Sequence, residues 1–250
     1  MTENPLVSII IPSYNQGKFI EKAILSVLNQ TYSNIELIIV DGASTDNTVS
    51  ILKKYNDYIN WISESDRGEA HAINKGMRMA NGEIFNFPCS DEALLPKAIE
   101  IAVRVLIENP DAGIVFGDQN IVDESYRFLS CKKLNTVSLN TLLNISPDIV
   151  SQPTAFIRRF VFDTVGPWDD NLEYANDLDL WIRILSEFEG IHIPQALGNS
   201  VRHKDEKGMK GIHKALLESF KVRRKYGGKI LSKANFRMIK AEAMWLLGRH

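Results

Sequence analysis

Cysteine is nearly absent from this sequence: Cys89 and Cys131 are the two among 250 residues. Two thiols build no disulfide framework, and their scarcity fits a reducing compartment, so a cytoplasmic protein is expected. Long apolar runs are missing too, none nearing the roughly 18 residues that a membrane span requires. The opening stretch lacks a basic segment and is broken by Pro12, so no signal peptide is expected. Neither a glycine-rich dinucleotide fingerprint nor a Walker loop occurs, which removes the usual cradles for dinucleotides and triphosphates. His-x-Glu and paired-cysteine zinc spacings are absent. Without a Gly-x-Ser-x-Gly elbow, a hydrolase of that type is disfavoured. What is present is a globular composition, 44 % hydrophobic and 24 % charged, which excludes a disordered, collagenous or coiled-coil chain.

The near-neutral total charge conceals an imbalance. Residues 201–250 hold 14 Lys/Arg against 4 Asp/Glu, while the whole chain holds 29 against 31. The tail is therefore +10, and residues 1–200, with 15 against 27, are −12. An acidic body opposes a polyanion and the tail lacks interleaved aromatics over most of its length, so no nucleic-acid partner is expected.

Up to residue 118, short apolar runs alternate with amphipathic stretches. Residues 6–12 form a β-branched run that predicts a strand buried on both faces. Phe19, Ile20, Ala23, Ile24, Val27 and Leu28 recur at helical spacing and predict a helix over 17–30. Further strands are expected at 36–40, 60–63, 83–88 and 113–117. Helices are expected around Val49, Leu52 and Tyr55, over 68–80 and over 92–108. Asp66 and Glu69 have the spacing of a capping box for the helix over 68–80. Such alternation predicts an α/β fold, a mostly parallel central sheet flanked by helices, with ligands beyond the carboxyl ends of the strands. Four polar clusters should converge there: Ser13-Tyr14-Asn15, Asp41 to Ser44, Glu64 to Arg67, and Ser90-Asp91-Glu92.

Beyond residue 118 the pattern loosens. Asp123-Glu124-Ser125 suggests a turn between two short strands, and residues 152–157 and 191–194 suggest further strands. Residues 177–188 read as a helix with Leu178, Trp181, Ile182 and Leu185 on one face. Helices over 211–226 and 230–247 meet at Gly227-Gly228.

The acid-rich loops suit oxygen ligation of a hard divalent cation, which in turn could hold a diphosphate. Taken singly, each acid could simply cap a helix and complement its dipole. Together, at successive strand ends, they favour a nucleotide-sugar site.

Five stretches carry a family resemblance: VSIIIPSYN (7–15), VDGASTDNT (40–48), SESDRG (63–68) with AINKG (72–76), residues 82–92, and YANDLDLWIR (174–183). In this order they resemble the family 2 inverting glycosyltransferases, with the GT-A (Rossmann-like) fold, over about residues 6–200. The resemblance implies a glycosyltransferase domain over 1–200, its nucleotide-sugar half at 1–118 and its acceptor side at 119–200. Residues 201–250 would then be a basic helical extension. It further implies that Pro12, Ser13, Tyr14, Asn15 and Asp41 hold the nucleotide base, usually uracil or thymine, with Ser44 also binding the nucleotide sugar and Asp66 and Arg67 close to the nucleotide. Ser90-Asp91-Glu92 takes the place of the family's DxD motif, so Asp91 would lie near ribose or metal and Glu92 at a metal-ligand position, with Mn²⁺ or Mg²⁺ as cofactor. Glu in place of the usual Asp adds a methylene to that ligand. Asp177 would be the general base that takes the proton of the acceptor hydroxyl, although it could also cap its helix.

His203 resembles a histidine that approaches the metal or diphosphate in some relatives. Gln152 and Trp168 are candidates for the acceptor pocket, Trp168 equally a core residue. The expected partners are a UDP- or TDP-type sugar and a saccharide or lipid-linked acceptor, in polysaccharide or glycolipid synthesis. Two alternatives stand beside this reading: a sugar-nucleotide-binding protein without catalysis, and a sugar-1-phosphate nucleotidyltransferase. The second would want a basic, glycine-rich loop after the first strand, which Pro12 to Asn15 does not supply. For the basic tail, packing on the body or on a second subunit competes with a peripheral contact to an anionic membrane.

Overall fold

A computed structural model describes residues 2–134, 138–146, 150–203 and 211–246. The first half follows the expected alternation: β1 (Val7–Ser13), α1 (Ile20–Leu28), β2 (Ile35–Asp41), α2 (Thr48–Lys54), β3 (Asn60–Ser63), α3 (Glu69–Met79) and β4 (Ile84–Asn86). Then come β5 (Glu92–Leu94), α4 (Ala98–Glu108), β6 (Ala112–Val122), β7 (Phe128–Lys132) and α5 (Leu139–Asn144). A single 3-10 turn, Gln152–Thr154, leads into β8 (Ala155–Arg158), α6 (Val161–Val165), α7 (Asn176–Glu187) and β9 (Glu189–Val201). The basic tail forms α8 (Ile212–Lys225) and α9 (Lys233–Leu246).

The nine strands among the described residues join one sheet in the order β3-β2-β1-β4-β8-β6-β9-β5, with β7 alongside β6. From β3 to β4 every pairing is parallel. Beyond β4 the sheet is mixed: β8 runs antiparallel to both neighbours, while β6 and β9 are parallel. Alternate residues of β1 feed two cores. Val7, Ile9 and Ile11 pack with α1 and α4, and Ile10 faces α3 and α7 across the other side. Each fully buried isoleucine contributes about 1.5–3 kcal/mol. Gly76 lets α3 lie against β1, since a Cβ there would stand 2.4 Å from Ile10 Cγ2.

Three expectations need correction. The helix expected over 92–108 starts at Ala98, because Glu92–Leu94 pairs antiparallel with β9 and the Leu95 N–H donates to the Leu197 carbonyl at 2.9 Å. The strand expected over 191–194 is a thirteen-residue strand, because it finds partners in β6 and β5 along its length. The capping box is not formed. Gly68, at φ 114°, precedes α3 with no side-chain cap, and Asp66 Oδ1 accepts instead from the Gly68 N–H at 2.8 Å.

The tail hairpin is packed on the body. Val222 joins the core beneath α7, and the Lys229 N–H donates to Asn144 Oδ1 of α5 at 2.8 Å. Of the apolar tail positions Leu216, Leu217, Phe220, Met238, Trp245 and Leu246, the side chains of the last three lie outside what the structure describes.

Candidate active site

The parallel register sets Ser13, Asp41 and Ser63 side by side at the carboxyl ends of β1, β2 and β3. Asp41 is fully buried there. It accepts from the Ser44 N–H at 2.9 Å, from the Ser44 hydroxyl, and from the Ser63 hydroxyl at 2.6 Å. Asn15, at φ 52°, accepts from the Thr45 N–H at 2.8 Å, and its own N–H donates to Ser44 Oγ at 2.7 Å. Asparagine tolerates that left-handed backbone because its short polar side chain bonds locally. Asp41, Ser44 and Asn15 thus staple the first two strand-end loops together, and none of them lines the cleft above.

That cleft encloses about 550 Å³. Of the expected residues, its wall contains Pro12, Ser13, Tyr14, Asp66, Asp91 and His203, joined by Gln16, Gly42, Ser65, Glu69, Cys89 and Ser90. Ser13 Oγ is buried and finds no partner among the described residues. An unpaired buried hydroxyl costs about 1–3 kcal/mol, so a polar atom of a ligand is its natural partner. At Gly42 a Cβ would stand 2.7 Å from Asp66 Oδ2, so a larger residue there would displace the Asp66 carboxylate. The Ser90 hydroxyl donates to the Pro12 carbonyl at 2.8 Å, which fixes the loop carrying Asp91 to the end of β1.

Asp91 Oδ2 lies 2.9 Å from His203 Nε2. The end of β9 makes this possible: the Val201 N–H donates to the Asp91 carbonyl at 3.2 Å, and Phe19 packs on the His203 ring with centroids 4.6 Å apart. Glu92 does not join them. Its Oε2 turns back to accept the Cys89 N–H at 2.8 Å, and Gln119 Nε2 stands 3.4 Å from Oε1. Burial first, and then the charge of Asp91, push its carboxyl well above the usual carboxylate range. Glu92 is not among the residues of the cleft wall: it lies in β5 in register with Ser200 of β9, and its carboxylate is engaged by the Cys89 N–H. The Cys89 thiol is likewise pushed up, by burial and then by Glu69 and Glu92.

Glu69 and Gln16 are cleft residues that sequence reasoning missed, Glu69 because its spacing assigned it to the capping box. With no capping box formed, Glu69 lines the cleft and accepts from Gln152 Nε2 at 3.0 Å. Gln152, which also donates to the Phe87 carbonyl at 2.9 Å, thus meets the cleft through Glu69. Trp168 is a core residue, 2 % exposed and edge-on to Phe87 and Trp181 at 5.4 and 6.0 Å, which overturns its assignment to the acceptor pocket. Arg67 pairs with Asp170 at the rim and does not line the cleft.

Asp177 sits in the first turn of α7, half-buried and outside the cleft wall, its Oδ1 accepting from the Leu178 N–H at 2.6 Å. The segment leading to it is tied to α3. Asn74 Nδ2 donates to the Trp168 carbonyl at 2.9 Å, and the Trp168 N–H returns to Asn74 Oδ1 at 3.1 Å.

The glycosyl transferase family 2 model matches residues 8–166. The chain belongs to that family. A glycosyltransferase of uncharacterised activity from Rickettsia prowazekii is 33 % identical over 187 residues, covering 72 % of this chain and 58 % of the relative. The chain thus spans little more than half the length of that curated relative. Staphylococcus aureus TarS (residues 1–349), solved with UDP-GlcNAc, superposes with a TM-score of 0.67 at 20 % identity, over 80 % of this chain and 60 % of that one. The Pyrobaculum calidifontis mannosyltransferase PcManGT, solved with GDP-Man and Mn²⁺, gives 0.69 at 22 % identity, over 99 % and 72 %. At such identities the two structures establish the fold, a GT-A glycosyltransferase fold.

For this member of family 2 the donor set fits a hard or borderline divalent cation. One carboxylate oxygen and one imidazole nitrogen face each other across 2.9 Å, with Glu69 on the same wall adding negative charge. Among the described residues no three His, Cys, Asp or Glu side chains form a ready cage. Mg²⁺ and Mn²⁺ sites of this kind are completed by phosphate oxygens and water.

Proposed function

We propose that this chain is an inverting glycosyltransferase that moves a sugar from a nucleoside diphosphate to an acceptor hydroxyl. The observation that carries the reading is the cleft at the strand ends, where the unpartnered Ser13 hydroxyl and the Asp91–His203 pair share one wall. In this reading Pro12, Ser13 and Tyr14 hold the base and Asp66 approaches the nucleotide. Asp41, Ser44 and Asn15 act by holding the loop, and Asp91 with His203 holds a divalent cation. That cation, when bound, neutralises the charge developing on the diphosphate leaving group. Asp177 accepts the proton as the acceptor oxygen bonds to the anomeric carbon and the bond to the diphosphate breaks. One carboxylate suffices for this single displacement. Gln152, through Glu69, borders the acceptor side.

The donor half is assigned to residues 1–118, the acceptor side to 119–200 and the extension to 201–250. A UDP- or TDP-type donor is favoured by the family resemblance, and the acceptor is a saccharide or a lipid-linked saccharide. The competing reading, a sugar-nucleotide-binding protein without turnover, draws on the displaced Glu92. A thermal-shift screen of UDP-, TDP- and GDP-sugars with and without Mn²⁺, followed by assay of nucleoside diphosphate release, separates them. Stabilisation by one nucleotide class with turnover is expected. Binding without turnover on any acceptor would favour the second reading.

The tail adds a partner of stated chemistry, an anionic membrane. Leu217, Ile230, Leu231, Phe236 and Ile239 are exposed along a groove of about 350 Å³ between α8 and α9. Residues 211–246 hold 9 Lys/Arg against 2 Asp/Glu, a balance of +7. Two such faces would repel each other, whereas exposed apolar side chains rimmed by cations suit an anionic lipid surface. No helix among the described residues is long and apolar enough to cross a membrane. Flotation with phosphatidylglycerol-containing vesicles, abolished by Leu231→Glu and absent with phosphatidylcholine alone, is the expected result. A dimer in sedimentation that the same substitution dissociates would assign the groove to a second copy.

A further inference from the structure

We infer that Glu218, on the tail helix α8, is a positioning residue for Asp177; this rests on reading Asp177 as the base. Helix α7 starts without a cap of its own, since Ala175 stands at the capping position and offers no side-chain acceptor. Within its first turn the Asp177 N–H donates to Asn176 Oδ1 at 2.8 Å and the Leu178 N–H to Asp177 Oδ1 at 2.6 Å. In the segment that enters the helix, three successive N–H groups converge on one carboxylate from the tail. Glu173 donates to Glu218 Oε1 at 3.2 Å, and Tyr174 and Ala175 donate to Oε2 at 2.7 and 3.0 Å. Bonds of this charge-assisted kind are stronger and more directional than neutral ones.

A second grip lies on the other side of Asp177. Asp179, 1 % exposed, accepts from Lys225 Nζ at 3.2 Å and from the Tyr226 hydroxyl at 2.8 Å. Lys225 ends α8 and Tyr226 follows it, so the tail helix holds the backbone both before and after Asp177. Arg183 carries the restraint further. Its Nε donates to Asp179 Oδ2 at 2.7 Å, and its Nη1 and Nη2 donate to the carbonyls of Val165 and Pro167 at 2.5 and 3.0 Å. The segment between α6 and α7 is thereby held by Arg183 of α7 as well as by Asn74 of α3.

A general base works only within hydrogen-bond reach of the proton it takes, and a displacement of about 1 Å can cost about 10²-fold in rate. The basic tail therefore serves the reaction from outside the cleft, by setting where the first turn of α7 stands. Sequence reasoning could assign Glu218 no such role, because its partners are backbone groups 43 to 45 residues earlier.

The test measures kcat, donor KM and donor Kd on the full chain. Glu218→Ala is expected to lower kcat by about tenfold or more while donor KM and Kd stay unchanged. Glu218→Gln, which retains an accepting oxygen, should recover part of the loss. In the Asp177→Asn background Glu218→Ala should cost nothing further, since a residue acting through the base loses its effect when the base is gone. An equal loss in both backgrounds, or wild-type kcat in a folded Glu218→Ala, overturns the inference. Should Glu218→Ala fail to fold, Tyr226→Phe removes a single hydroxyl from Asp179 and is expected to lower kcat by about twofold, with unchanged kcat overturning it. Wild-type turnover by Asp177→Asn would instead defeat the reading of Asp177 itself.

Discussion

Residues 1–118 and residues 119–246 contribute to the site in different ways. In the first region each cleft residue stands at the end of a strand or at the start of the element that follows. Ser13 and Tyr14 follow from β1, Gly42 from β2, Asp66 and Glu69 from the β3–α3 turn, and Asp91 from the turn before β5. In the second region His203 arrives at the end of a long strand, and Asp177 lies on a helix whose start is held by a distant side chain. The cleft residues of the first region are thus supplied by short loops, whereas Asp177, the proposed base, sits on a helix entered by a segment that contacts from elsewhere in the chain hold in place.

The largest expected effect divides the two regions cleanly. Asp177→Asn should lower turnover by about 10²–10⁴-fold and leave donor affinity within twofold, as read by steady-state kinetics and calorimetry. Loss of donor affinity would move Asp177 into the binding region. Next, Trp168→Ala should destabilise the fold by about 3–5 kcal/mol in urea unfolding, whereas Trp168→Phe should keep turnover near wild type. Lost turnover in a stable Trp168→Phe would return the side chain to the acceptor pocket.

A smaller effect belongs to the loops alone. Gly42→Ala drives a Cβ against the Asp66 carboxylate and should weaken nucleotide binding by about tenfold, equivalent to about 1.4 kcal/mol. The smallest concerns an exposed tie between the two regions, Lys18 to Glu124, whose side chains are 60 % and 45 % exposed. Lys18→Ala should change unfolding free energy by less than about 0.5 kcal/mol. A larger change would mean that the β6–β7 turn and the start of α1 are coupled more tightly than a solvated ion pair allows.

The same division governs what was legible beforehand. Most strands and helices of the first region were readable because apolar period and turn residues are local, and the loops of Ser13, Asp66 and Asp91 followed from them; β5 was not, because its partner β9 lies about a hundred residues away. Orientation was not readable. Asp91 and Glu92 are adjacent carboxylates, and it took tertiary contacts to separate them: Asp91 lines the cleft beside His203, while Glu92 enters β5 and accepts from the Cys89 N–H. Asp41 was expected against the base, yet its burial between Ser44 and Ser63 depends on the register of three strands. Glu69 was assigned to a cap because its spacing from Asp66 matched one, and the positive φ of Gly68 removed that option. In the second region Trp168 offered an aromatic face in the sequence, but Phe87 and Trp181 cover it.

The central claim, that a nucleotide sugar with its divalent cation binds where Asp91 meets His203, is tested most directly by one calorimetric titration. The nucleotide sugar selected by thermal shift is titrated, with Mn²⁺, into the wild type and into Asp91→Asn. Saturable binding by the wild type, weakened by about tenfold or more in the variant, is the predicted result, since a charged cation ligand and its histidine neighbour are disturbed together. Equal affinity in the two proteins would contradict it.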